Sequence, residues 1–99
     1  MEDQKPPINH VISLTDDVNP RGLRANPGDR VTFKNVTNGE ITLQAEDGLL
    51  EGVSSGDQIP IPDKESREFE IKNTGNSNKR YTYDTASLPA TPRTGRIRT

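Results

Sequence analysis

The chain has 99 residues, a net charge of -2 and no cysteine. That length allows one domain with a small core, and the lack of cysteine excludes disulfides, thiolate nucleophiles and cysteine-ligated metals. No apolar run approaches the roughly 18 to 20 residues that span a bilayer, and the first seven residues lack the basic and apolar regions of a signal peptide. We therefore expect a soluble cytoplasmic protein for the sequence as written, or an exported one if it is a mature form with an added methionine.

Alternation of apolar and polar residues predicts short strands along the chain, after a flexible lead-in over residues 1–8. A half-buried strand follows the turn Asn26–Asp29, where Val31 and Phe33 alternate with polar residues, and residues 41–45 show the cleanest alternation. Ile59–Pro62 must form an edge strand, because a proline cannot donate to a ladder. About seven strands are expected in all, from residues 9–15, 30–35, 41–45, 59–62, 67–72, 79–84 and 95–98, with a short extended piece at residues 21–25.

The segments between these strands are predicted to be turns and loops. Asn38-Gly39 is the favoured pair for a tight hairpin, and residues 73–78 are predicted to form a polar hairpin loop. Residues 46–57 are expected to form a loop or a single helical turn whose few apolar residues plug one end of the core, and residues 85–93 a further loop. No segment has a helical stripe. Residues 9–99 are therefore predicted to form one antiparallel β-sandwich domain with Greek-key connections.

Two sets of residues resemble motifs of the cupredoxin family, the small blue-copper β-sandwiches. The first is a turn and the strand after it, with Pro27, Gly28, Asp29, Val31, Phe33 and Asn35. The second is Tyr81-x-Tyr83 with Gly95-x-Ile97, similar to the aromatic strand and the terminal strand that bracket the copper loop of that family. The resemblance covers roughly residues 18–99 and implies a cupredoxin-like sandwich.

The resemblance does not extend to the copper ligands. The family's first histidine corresponds to Glu40, its cysteine to Thr85, its second histidine to Leu88 and its methionine to Arg93. A type 1 copper site needs a soft thiolate and two imidazoles, whereas this chain has no cysteine and a single histidine. We therefore expect no copper and no other cofactor.

The leading functional hypothesis is a non-catalytic module that binds another protein or its own copy. The resemblance implies that the loops near Glu40 and at residues 84–93 lie together at one end of the sandwich, where a scaffold often presents binding residues. Residues 79–99 also hold five of the 13 basic residues and one of the 15 acidic ones, which favours an acidic partner or a phosphate. Alternatively, the loop only closes the sandwich end and the basic residues only face solvent. The candidate partner-binding residues are Glu40, Asp84, Thr85, Leu88, Arg93, Arg96 and Arg98.

Other functions have weaker support in the sequence. Acidic residues in two segments, 16–19 and 46–57, offer oxygen ligands for calcium. Neither segment has the spacing of an EF-hand, and a small-ligand site is the other alternative for these loops. Catalysis would depend on His10, which we expect to be a strand-end residue, and there is no Gly-x-Ser-x-Gly motif, so we expect no enzyme. A pI of 5.3 and tyrosines expected in the core argue against nucleic acid.

Overall fold

The computed structural model describes residues 7–15, 20, 22–37, 39–72, 78–85 and 88–98 as a β-sandwich. Within these residues there are eight strands and no helix, which confirms the predicted fold class. The lead-in is largely outside the described residues. The strands are β1 (Asn9–Leu14), β2 (Leu23–Arg24), β3 (Arg30–Asn35), β4 (Ile41–Ala45), β5 (Ile59–Ile61), β6 (Ser66–Glu70), β7 (Asn78–Thr85) and β8 (Leu88–Arg98).

The strands form a three-stranded sheet in the order β1-β3-β6 and a five-stranded sheet in the order β2-β8-β7-β4-β5. The β1–β3 and β2–β8 pairings are parallel, and the other pairings are antiparallel. The prediction of a hairpin at Asn38-Gly39 is wrong, because β3 and β4 lie in different sheets. The same holds for the predicted hairpin at residues 73–78, since β6 and β7 also lie in different sheets. Asn38 and residues 73–77 themselves are outside the described residues. A turn signal is local, whereas the choice of strand partner depends on which faces can be buried together.

The core lies between the inner faces of the two sheets. Val31 and Phe33 of β3 are fully buried, as the alternation predicts, and Phe33 meets the ring of Tyr81 from β7 edge to face at 5.0 Å. The loop over residues 46–57 contributes Leu49 and Leu50, both fully buried, so its apolar residues do enter the core. This packing joins β3, β7 and the long loop into one hydrophobic cluster.

Strand β8 is longer than predicted. Residues 88–93 were expected to be a loop, but β8 begins at Leu88, and Thr85 pairs directly with Leu88 across the β7–β8 hairpin. The prolines at positions 89 and 92 are tolerated in β8 because β2 pairs only with Ile97 and Arg98, so that among the described strands the first half of β8 has one neighbour. Ile59–Ile61 is the edge strand β5, as predicted.

Candidate functional site

The candidate partner-binding residues lie in three places on the sandwich. Glu40 is exposed just before β4, and Asp84 is exposed across from Thr42, so both lie at one end of the five-stranded sheet. Thr85 and Leu88 pair at the same end; their side chains are outside the described residues.

Arg93 does not share a surface with the other two arginines of β8. It lies across from the buried Tyr83, on the inner side of the strand, and is half-buried. Arg96 and Arg98 are exposed on the outer side, towards the opposite end of the hairpin from Leu88. The seven candidates therefore do not form one surface.

Arg96 and Arg98 belong to a different set of basic residues on the outer side of the five-stranded sheet. The register pairs Arg98 with Arg24 of β2 and Arg96 with Arg80 of β7. All four side chains point outward, because the residues that alternate with them lie on the inner side of the sheet. We call Arg24, Arg80, Arg96 and Arg98 the arginine face.

One arginine of this face has an acidic neighbour. The Glu46 carboxylate accepts a hydrogen bond from the backbone N–H of Arg80 at 2.9 Å, and the Arg80 Nε lies 3.6 Å from the same oxygen. Within the part of the chain that the structure describes, Arg24, Arg96 and Arg98 form no ion pair or side-chain hydrogen bond. Like charges on neighbouring strands repel, so these guanidinium groups favour an external anion.

The same three arginines line a groove of about 310 Å³. Gly22, Leu23 and Asn78 complete its lining. A second groove of about 240 Å³ lies around the Arg80–Glu46 pair and is lined by polar side chains such as Gln44 and Thr82. The cross-strand pair of Arg80 and Arg96 connects the two grooves.

Sequence reasoning missed Arg24 and Asn78 as members of this surface. Arg24 is far from β8 in sequence, and nothing in its local pattern indicates that β2 pairs with the last two residues of β8. The alternation of Leu23 with Arg24 does predict that one side chain is buried and the other exposed. Only the parallel pairing places that exposed side chain beside Arg98.

At the start of β3, Asp29 is a buried polar centre. Its carboxylate accepts hydrogen bonds from the backbone N–H of Ile8 at 3.1 Å, from that of Asn26 at 3.0 Å and from His10 Nε2 at 2.9 Å. Burial by itself raises the pKa of Asp29, but the bonds from Asn26, His10 and Ile8 outweigh it and hold that pKa below its ordinary value. His10 is therefore a strand residue that ties β1 to the turn before β3.

At the other end of β3, Asn35 is fully buried and bonded on both sides of its amide. Its Nδ2 donates to the carbonyl oxygens of Gly39 at 2.7 Å, Ile61 at 2.9 Å and Pro62 at 3.1 Å. Its Oδ1 accepts from the N–H of Thr37 at 2.9 Å and from the Thr37 hydroxyl at 2.7 Å. Asn35 thus holds the connection after β3 against the end of β5.

The acidic loops do not form a metal centre within the described residues, where no group of three or more His, Cys, Asp or Glu side chains could hold an ion. In the loop over residues 46–57, the carboxylate of Asp57 accepts the N–H of Ser54 at 2.9 Å, and that of Asp47 accepts the N–H of Ser55. These two hydrogen bonds stabilise the loop. The other acidic segment, residues 16–19, is outside the described residues.

The aromatic residues are all part of the core or packed against it. Phe33, Tyr81 and Tyr83 are buried, and Phe69 is half-buried beside Phe33 at 6.1 Å. Since the sequence has only two Phe, two Tyr and no Trp, no exposed ring is left for stacking on nucleic-acid bases. Among the described residues, no helix is long and apolar enough to cross a membrane.

This architecture is the cupredoxin fold, as the sequence motifs indicate. The structure matches a reduced Cu(I) form of an amicyanin variant with a TM-score of 0.54 and 15% identity, over 97% of this chain and 86% of that one. A second reduced amicyanin variant gives a TM-score of 0.55 at 15% identity, with the same coverage of both chains. A multi-copper oxidase from Pseudomonas Thermotolerans gives 0.60 at 20% identity, over 95% of this chain and 30% of that one.

No protein-family model matches the sequence, and neither does any curated protein. At identities of 15% to 20% the structural matches define the fold and leave the function to be argued from this chain's own residues. The copper chemistry of those proteins has no thiolate to bind through in a chain without cysteine.

Proposed function

We propose that this protein is a non-catalytic, metal-free interaction module that binds an acidic surface of another protein through the arginine face. The observation that carries the proposal is the set of three arginines, Arg24, Arg96 and Arg98, that form no ion pair with the described residues. They stand on paired strands, so the sheet holds their backbones in one arrangement before a partner arrives. Preorganised donors lose less entropy on binding than donors on a mobile loop.

The charge of the rest of the molecule supports an acidic partner. The chain as a whole carries a net charge of -2, so the arginine face is a local basic surface on an acidic protein. An acidic partner is attracted to this face and repelled elsewhere, which orients the encounter and raises its rate. The attraction is screened beyond about 8 Å at physiological salt, so the interaction is expected to weaken as salt is added.

We also propose that the protein has no catalytic role. The only histidine of the chain is engaged with Asp29, where it acts as a structural donor. The two grooves of the arginine face have polar linings of arginine, asparagine, glutamine, threonine, serine and glutamate side chains, and no histidine lies among their lining residues to activate a hydroxyl. This lining suits charge recognition and hydrogen bonding to a partner.

The proposal is tested by retention of partners from a lysate of the source on immobilised protein. Arg98→Glu should abolish retention of the partner that the wild type holds, because it reverses the charge that lies directly beside Arg24. Lys34→Glu is the matched control: Lys34 is also an exposed strand residue, but it lies on the three-stranded sheet. The free energy of unfolding of both variants should lie within about 0.5 kcal/mol of the wild-type value, as is usual for surface substitutions.

Loss of the same partner with Arg98→Glu and its retention with Lys34→Glu would support the arginine face. Equal retention by both variants, or loss with both, would overturn it. If the retained protein is this chain itself, the acidic surface belongs to a second copy, and the self-association can be measured by sedimentation.

A further inference from the structure

We propose that the groove between Arg24, Arg96 and Arg98 is a subsite for a single phosphate group, carried by a phosphorylated side chain of the acidic partner. This inference rests on the proposed function and assigns a ligand chemistry to one groove of the arginine face. It goes beyond attraction between opposite charges, because a phosphate group needs several hydrogen-bond donors that converge on one point.

The register brings three guanidinium groups close together. Arg24 and Arg98 are direct partners on adjacent strands, which lie about 4.8 Å apart, and Arg96 is two residues from Arg98 on the same side, roughly 7 Å along the strand. These separations are short compared with the reach of an arginine side chain. All three side chains line the same groove.

The donors of the groove match the acceptors of a phosphate group. Each guanidinium presents a planar fork that can bond two oxygens at once, and a phosphorylated side chain carries three strong acceptor oxygens and a charge of about -1.5 to -2. The amide of Asn78, which also lines the groove, adds a neutral donor. A single carboxylate would have two oxygens and one charge for three arginines, and would leave part of the repulsion between them uncompensated.

The charges around the groove favour one phosphate group over a long polyanion. The groove, of about 310 Å³, has room for a phosphoryl group with accompanying water, and its three arginines lie together on one part of the sheet. Beside it, the carboxylate of Glu46 accompanies Arg80, so the positive charge does not continue along the sheet. The buried aromatic residues and the net charge of -2 also argue against a nucleic-acid backbone.

The subsite is tested by NMR titration of ¹⁵N-labelled protein with inorganic phosphate and with capped phosphoserine, against acetate at equal ionic strength. The phosphate compounds should cause saturable shifts centred on Arg24, Arg96, Arg98 and Asn78. Arg98→Lys should weaken phosphate binding by about tenfold, because it keeps the charge and loses the fork. Arg67→Lys is the matched control, since Arg67 is an exposed arginine on β6 outside this groove.

Equal shifts with acetate and phosphate, shifts spread over all basic residues, or an unchanged affinity in Arg98→Lys would overturn the phosphate subsite. The proposed function would survive that result if Arg98→Glu still loses the partner. Conversely, phosphate binding without any partner that depends on Arg98 would overturn the proposed function.

Treatment of the lysate with phosphatase or with nuclease before the retention assay tests the source of the phosphate group. Loss of the partner after phosphatase treatment would support a phosphorylated protein. Unchanged retention after phosphatase treatment would overturn a phosphorylated side chain of the partner as the source of the group. Loss after nuclease treatment alone would overturn the proposal in favour of nucleic acid.

Discussion

The two ends of β3 and the arginine face use polar side chains in opposite ways. Asp29 and Asn35 are buried, and their carboxylate and amide are occupied by donors and acceptors of the same chain. Arg24, Arg96 and Arg98 have charged side chains and no such partners among the described residues. Hydrogen bonds satisfied inside the protein stabilise the fold, whereas donors left without internal partners are available to a ligand.

This contrast separates two kinds of experiment. Substitutions at the buried centres should change the free energy of unfolding and leave the affinity of the folded protein for its partner unchanged. Substitutions on the arginine face should do the reverse.

Asn35→Ala should give the largest loss of stability, on the order of 3 kcal/mol or more. It removes an amide that bonds three carbonyl groups and two groups of Thr37, and it leaves buried acceptors unsatisfied at about 1 to 3 kcal/mol each. Urea denaturation measures the change. Val36→Ala, next to it but 41% exposed, is the control and should cost much less. A cost for Asn35→Ala below about 1 kcal/mol would contradict the role of Asn35 as a buried centre.

The two tyrosines of β7 should respond differently to loss of the hydroxyl. Both are 1% exposed, but the Tyr83 hydroxyl donates to the Thr15 carbonyl at 2.6 Å, whereas the buried Tyr81 hydroxyl has no partner among the described residues. Tyr83→Phe should therefore cost about 1 kcal/mol, and Tyr81→Phe should be neutral or slightly stabilising. Each variant is the control for the other in urea denaturation. Equal losses would show that the bond to Thr15 contributes nothing specific.

The Asp29 centre should produce a modest loss of stability in acid. The pKa of Asp29 is lower in the folded chain than its ordinary value of 3.8, so the folded state favours the ionised carboxylate. Its contribution is complete above the unfolded pKa and is lost as pH falls from there through the folded pKa. Urea midpoints from pH 6 to pH 2.5 should show this loss in wild type and a smaller loss in Asp29→Asn. Asp63→Asn, which removes an exposed carboxylate, should retain the loss seen in wild type.

Much of the fold could be predicted from local patterns. The alternation around Val31 and Phe33 identified a buried strand, and the two prolines around Ile61 identified an edge strand. Both conclusions follow from short-range rules, namely the two-residue period of a strand and the missing N–H of proline. The prediction of a loop was wrong over residues 88–93, where the first half of β8 has only β7 as a neighbour among the described strands and so accepts prolines that a central strand would exclude.

Less of the candidate site than of the fold could be predicted from the sequence. Charge counting drew attention to the basic end of the chain, including Arg96 and Arg98, but it placed Arg93 with them. The alternation along β8 turns Arg93 inward beside the buried Tyr83. Arg24 belongs to this surface only because the pairing of β2 with β8 places it beside Arg98.

The residue types and their spacing in this chain were enough to establish an all-β sandwich with cupredoxin motifs and no cysteine for a copper site, because strand period, turn chemistry and ligand identity are local properties. The tertiary structure decided which strands are neighbours and therefore which charges meet. The parallel pairing of β2 with β8 joins residues more than 70 positions apart into one groove. Such contacts depend on how the two sheets bury their apolar faces together, which no short segment of the sequence records.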